Sequence, residues 1–159
     1  MEREQLENQI QTHILNHLIN DEEYCRRVIP FLKKEYFEGE HKIIFDLIVD
    51  FVTSHNKIPS GKVLELELKK VQVPDDVRTQ TYALIQEIAN KSDIDIEYLL
   101  KESEKYCRDK AIYNAIMDSI QIINGNEKEK DDGAIPELLS NALGISFDPN
   151  IGHDYIDNS

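Results

Sequence analysis

The stretch FLKKEYFEGEHKIIFDLIVDF (residues 31–51) decides the fold class, because a strongly amphipathic pattern begins after Gly39. Its apolar residues recur at the three- and four-residue spacing of a single helix face: Ile43, Ile44, Leu47, Ile48, Phe51 and Val52. A helix with one buried face is therefore predicted for this segment.

Helical signals continue in both directions from this segment. Toward the N-terminus, a stripe at four-residue steps runs through Leu6, Ile10, Ile14 and Leu18. Asp21 is a suitable N-cap for a short helix that Pro30 would end. Toward the C-terminus, Ser60 and Pro74 each precede a further apolar helical pattern. With only 6 Gly and 5 Pro in 159 residues, the chain is predicted to be all-α.

A long helix is predicted from about residue 95 to Asn124, followed by a polar loop, GNEKEKDDG (residues 125–133), and a second helix that begins at Pro136. A seven-residue step through the long helix keeps one seam toward a partner helix. These two helices are predicted to form an antiparallel hairpin. Its seam, some of which we expect to face another subunit, consists of Leu99, Tyr106, Tyr113, Ile120, Leu139 and Leu143. Ordinary packing within the chain is the alternative for the same residues.

Three regions follow from this pattern. Residues 1–92 are predicted to form a compact helical domain, and residues 93–147 the hairpin. The last residues, DPNIGHDYIDNS (148–159), have the Pro, Gly, Asn and Asp content of a linker, which we expect to lead toward a further domain.

The composition restricts the class of function. The net charge of −13 opposes binding to phosphate backbones, so little direct nucleic-acid binding is expected. Cys25 and Cys107 are too few and too far apart for a disulfide framework, which favours reduced thiols and a cytoplasmic location. No signal peptide pattern and no apolar run of membrane-spanning length is present in the sequence.

No motif predicts a catalytic, cofactor or metal site in this chain. The Gly61-Lys62 pair lacks the other residues of a phosphate-binding loop and indicates a helix N-terminus instead. His13 and His17 lie one helical turn apart without a third metal ligand nearby in sequence. An enzyme whose active site is dispersed along the chain stays open as an alternative.

Several short motifs resemble the N-terminal domain of DnaB-type replicative helicases. Within residues 31–51 these are the aromatic pair Tyr36-Phe37 and the run His41-Lys42-x-Ile44-Phe45. The ending resembles the T-even phage members of this family at Ser146, Phe147, Asp148, Gly152, His153 and Asp154.

The resemblance implies that the chain is a collar domain, which joins the subunits of a hexameric helicase and docks the primase, with a helicase loader as a further partner. It also implies that ATP and Mg²⁺ act in a RecA-like motor beyond this chain, which drives 5′ to 3′ unwinding in the host cytoplasm. The rival hypothesis is a free-standing helical adaptor, such as a helicase loader or inhibitor.

Overall fold

The computed structural model describes residues 2–125 and 131–147, and these residues are helical with short connections. Seven α-helices are α1 (Glu2–Asn20), α2 (Glu22–Val28), α3 (Gly39–His55), α4 (Gly61–Leu68), α5 (Asp75–Ala89), α6 (Ile96–Ile123) and α7 (Ile135–Leu143). Short 3-10 helices occur at Ile29–Phe31, Lys34–Tyr36 and Asp132–Ala134. The predicted all-α class is confirmed. The predicted linker (148–159) and the middle of the polar loop (126–130) lie outside the described residues.

Local capping explains where several helices begin. Asp21 accepts a hydrogen bond from the Tyr24 backbone N–H at 3.0 Å, and Ser60 does the same for Val63 at 3.2 Å. Both starts were predicted from the sequence. Pro30 ends α2 as predicted, but the chain continues through it as the 3-10 turn Ile29–Phe31, which tolerates proline early in the turn.

The chain divides into two compact units within α6, between Ser103 and Glu104. The predicted boundary after residue 92 stays a prediction. In the first unit, α1 packs against α2, α3 and α5, while α5 also packs against α3 and α4. The core of this unit contains fully buried side chains from six helices, among them Leu15, Val28, Ile48, Leu64, Ile85 and Leu99.

The apolar stripe predicted along α1 is only partly buried. Ile14 and Leu18 have no exposed surface, whereas Leu6 is 65% exposed. The difference arises because the first turns of α1 extend past the helices that cover its second half. Within the described residues, no helix is long and apolar enough to cross a bilayer.

Polar side chains of the first unit bind backbone carbonyls at helix ends. Asn16 donates from Nδ2 to the carbonyl oxygens of Ile88 (3.2 Å) and Asn90 (2.7 Å), and Asn20 donates to Ile88 (2.8 Å). Arg78 similarly donates to the carbonyl oxygens of Leu68 and Val71 after α4. These bonds satisfy acceptors that a helix C-terminus leaves unpaired.

Candidate functional site: an exposed apolar face on helix α6

A row of exposed apolar side chains follows the second half of α6. Their exposed fractions range from 40% to 66%, and they are Tyr113, Ile116, Met117, Ile120 and Ile123, called here the α6 stripe. The steps of three and four residues between 113, 116, 120 and 123 place these side chains on one helix face. The stripe spans roughly 15 Å at 1.5 Å per residue.

The opposite side of the same helix is buried. Ala115, Ser119 and Ile122 are each exposed by 7% or less, and the Ser119 hydroxyl donates to the Ala115 carbonyl oxygen at 2.7 Å. This half of α6 therefore has one apolar face that the chain covers and a second apolar face that the described residues leave open. An apolar face of this size on a helix is typical of a protein interface.

The structure separates the predicted seam residues into two groups. Leu99 and Tyr106 are buried, with exposed fractions of 0% and 8%, so they are not available to a partner in this conformation. Tyr113, Ile120 and Leu143 are exposed, and Leu139 on α7 is half-buried. Their membership in a subunit interface stays a prediction.

The drift of the seven-residue series around α6 is too small to explain this division. A seven-residue step falls about 20° short of two full turns, so Tyr106 and Tyr113 lie on nearly the same side of the helix. This side is buried in the first half of α6, at Leu99 and Tyr106, and exposed in the second half, at Tyr113 and Ile120. The division therefore reflects which part of the helix other residues of the chain cover.

Sequence reasoning missed three residues of the α6 stripe. Ile116, Met117 and Ile123 lie outside the seven-residue series that starts at Leu99. The alternating three- and four-residue steps that start at Tyr113 would have found Ile116 and Ile123, since these alternate with Tyr113 and Ile120 in a heptad pattern.

Hydrogen bonds close the second unit as an antiparallel hairpin. Arg108 donates from Nη2 to the Ile145 carbonyl oxygen at 3.0 Å, and Glu104 accepts from the Phe147 backbone N–H at 2.8 Å. Glu104 and Arg108 also form an i,i+4 ion pair at 3.0 Å, with both side chains about one-third exposed or less. The chain that follows α7 thus returns to the interior of α6, at Glu104 and Arg108.

The residues considered for phosphate or metal binding have structural roles. Gly61 begins α4, and the preceding residues form a loop with Ser60 as the cap, as the sequence indicated. His17 is buried, and its Nδ1 lies 3.2 Å from the His13 carbonyl oxygen. Among residues 2–125 and 131–147, no three His, Cys, Asp or Glu side chains converge in a way that could hold a metal ion.

The two cysteines are free and buried in the described structure. Burial raises the pKa of the Cys25 thiol to about 11 and that of the Cys107 thiol to about 12. Since the thiolate is the reactive form, neither side chain has the environment of a nucleophile.

The chain is similar in sequence to a protein of known function. No family model matches the chain. Over 153 residues the chain is 36% identical to the DnaB-like replicative helicase of Enterobacteria phage T4. The match covers 91% of this chain and 32% of the phage protein, so the chain spans about a third of that relative's length.

This identity extends over nearly the whole chain and agrees with the resemblance carried by residues 31–51 and 146–154. The all-helical structure agrees with the helical N-terminal domain that the resemblance implied. The chain is thus a relative of the DnaB-like replicative helicases, similar to about a third of the phage T4 protein.

Proposed function

We propose that this chain is the collar of a replicative DNA helicase and joins its subunits through the α6 stripe. The observation that carries the proposal is the solvent exposure of five apolar side chains on one face of a helix whose opposite face is buried. Covering this face with a second copy would remove it from water, which is favourable at about 25 cal/mol per Å² of apolar surface.

A second copy of the same stripe suits this role because a two-fold axis places identical surfaces in contact. The 3-4 spacing of the stripe matches the seam of paired helices, in which apolar side chains of one helix fill gaps in the other. Leu143, exposed on α7, is included in the proposed interface. Tyr113 adds an aromatic body with a hydroxyl that stays satisfied at the edge of such a contact.

We also propose an activity and partners for the whole protein. A RecA-like motor that binds ATP and Mg²⁺ would supply 5′ to 3′ unwinding in the host cytoplasm, while the collar would dock the primase and a loader. The relation to the phage T4 helicase supports this assignment. Given the net charge of −13, the collar would contact proteins more than nucleic acid.

Sedimentation equilibrium and light scattering test the assembly claim directly. The chain is expected to self-associate in a concentration-dependent manner, and Ile120→Glu should weaken the association at least about tenfold, because it places a charge in an apolar contact. Glu102→Gln, a change at a charged residue earlier on α6, serves as the control. A chain that stays monomeric at millimolar concentration, or an Ile120→Glu variant that associates as the parent does, would overturn the proposal.

A further inference from the structure

A groove in the first unit lies between α3 and the segment that precedes it. The segment containing the 3-10 helices Ile29–Phe31 and Lys34–Tyr36 lies against α3, and the groove between them has a volume of about 490 Å³. It is open to solvent and lies in the unit that does not contain the α6 stripe. The floor of the groove is lined by apolar side chains, and its two sides are lined by charged ones.

The floor of the groove is apolar. Leu32 and Phe45 are buried, and Ile29, Val49 and Val52 are half-buried at the groove surface. The Phe45 ring stacks on Phe37 with ring centroids 4.6 Å apart, which fixes its position under the groove. A partly exposed apolar floor over a rigid aromatic pair is suited to receiving apolar side chains from outside.

The two sides carry opposite charge. Asp46 and Asp50, one turn apart on α3, line one side, and Lys33, Lys34 and Glu35 line the other, which leaves that side with a net positive charge. In the described part of the chain, neither the two aspartates nor the two lysines belong to an ion pair. Opposite charges that face the groove without being paired can each be matched by a partner that carries the complementary arrangement.

The length of the groove indicates the shape of the occupant. On α3 it extends from Phe45 to Thr53, which is roughly 12 Å at 1.5 Å per residue. This length accommodates two turns of a helix with apolar anchors at positions i, i+3 or i+4, and i+7. A small polar ligand would leave most of the apolar floor uncovered.

We propose that this groove binds an amphipathic helix of a partner protein, with basic residues flanking Asp46 and Asp50 and acidic residues flanking Lys33 and Lys34. The apolar face of that helix covers Leu32, Val49 and Val52. The proposal concerns a different surface from self-association and holds whether or not the α6 stripe forms an interface.

A pair of synthetic peptides tests both the site and the charge arrangement. Each is about 15 residues long, so that it forms a helix, with leucines at i, i+4 and i+7. One carries lysines on the flank that would lie over Asp46 and Asp50 and glutamates on the other flank, and the second carries glutamates on both flanks. In ¹⁵N-labelled protein, the first peptide is expected to shift the backbone amide signals of residues 29–35 and 45–53.

Variants then separate this site from the α6 stripe. Val49→Glu should weaken binding of the first peptide at least about tenfold, since it charges the apolar floor. The surface double variant Asp46→Lys, Asp50→Lys should lose preference for the first peptide and gain preference for the second. Ile120→Glu, in the other unit, should leave peptide binding unchanged while altering self-association.

Two results would overturn the proposal. The first is equal binding of the two peptides to the parent chain and to the charge-reversed variant. The second is a set of amide shifts confined to residues outside 29–35 and 45–53.

Discussion

The Glu104 carboxylate accepts a hydrogen bond from the backbone N–H of Phe147 at 2.8 Å, across 43 residues of the chain. Its other oxygen receives the Arg108 guanidinium at 3.0 Å, and Arg108 in turn donates to the Ile145 carbonyl oxygen. One acidic and one basic side chain of α6 therefore hold the segment that follows α7, and Phe147 is buried as a result.

The first prediction concerns this connection. Glu104→Ala should reduce the stability of the hairpin by about 1–3 kcal/mol, because a hydrogen bond to a charged acceptor is lost and the Phe147 N–H is left unpaired. Hydrogen exchange of the Phe147 amide measures the effect locally. Glu104→Gln should cost less, since its amide oxygen can still accept from that N–H.

Asp109 provides the matched control for this experiment. It pairs with Lys105 at 2.8 Å, but both side chains are more than half exposed. Asp109→Ala should therefore change stability by less than about 1 kcal/mol. Exchange at Phe147 that is equally fast in the Glu104→Ala variant and the parent would contradict the assigned role.

The second prediction concerns the side chain of Asn16 in the first unit. Asn16→Ala should lower the free energy of unfolding by about 1–3 kcal/mol, because the Asn90 carbonyl oxygen loses its donor and the Ile88 carbonyl oxygen keeps only Asn20. Urea denaturation followed by circular dichroism measures the change. Asn20→Ala should cost less, since Asn16 still reaches the Ile88 carbonyl oxygen.

The third prediction concerns acid stability. Burial lowers the pKa of His17 and of His41 below the ordinary value of 6.5, so each binds protons less readily in the folded chain than in the unfolded chain. As the pH falls through 6.5, the unfolded chain therefore takes up protons at these residues before the folded chain does. The free energy of unfolding should therefore be constant above about pH 7 and decrease toward about pH 5.

Histidine variants test which residues cause this pH dependence of the free energy of unfolding. His41 lies 2.9 Å from the Thr12 hydroxyl through its Nε2, and Glu38, Glu40 and Glu87 partly oppose the effect of burial. His41→Gln should make the dependence between pH 5 and 7 less steep, whereas His55→Gln, at an exposed position on α3, serves as the control. An unchanged slope in the His41→Gln variant would show that other groups cause it.

The fourth prediction concerns Gly61 at the start of α4. A Cβ atom added there would lie 2.8 Å from the Ala89 Cβ, closer than two carbon atoms can approach, so α4 and α5 would have to separate. Gly61→Ala should destabilise the chain by about 1–3 kcal/mol in thermal or urea unfolding. Adding Ala89→Gly should restore part of this loss, and a double variant no more stable than Gly61→Ala would argue against the contact.

The sequence predicted features that depend on neighbours in the chain. The starts of α2 and α4 follow from Asp21 and Ser60, since a capping side chain acts on backbone groups only two or three residues away. The apolar face of α3 was also predicted, because apolar residues recur at three- and four-residue spacing along one side of a single helix. The Glu104–Arg108 ion pair is local in the same sense, since its two side chains lie four residues apart on one helix.

Features that depend on distant parts of the chain were not predicted. Nothing near Leu6 in the sequence indicates that it would be exposed while Ile14 is buried, because the covering helices come later in the chain. The division of the seam between Tyr106 and Tyr113 depends on which part of α6 other residues of the chain cover. The groove beside Val49 forms only when the segment Ile29–Phe31 folds back along α3.

Helix α6 is shared by the two units, and this has a consequence for the order of folding. Its first turns are fixed in the first unit, where Leu99 is fully buried and the Ser103 hydroxyl lies 2.7 Å from the Tyr24 hydroxyl. Starting a helix is the unfavourable step, whereas extending one is not. We therefore expect the first unit to provide the nucleus from which the rest of α6 grows, so that in a newly synthesised chain the α6 stripe becomes helical only after the first unit has folded.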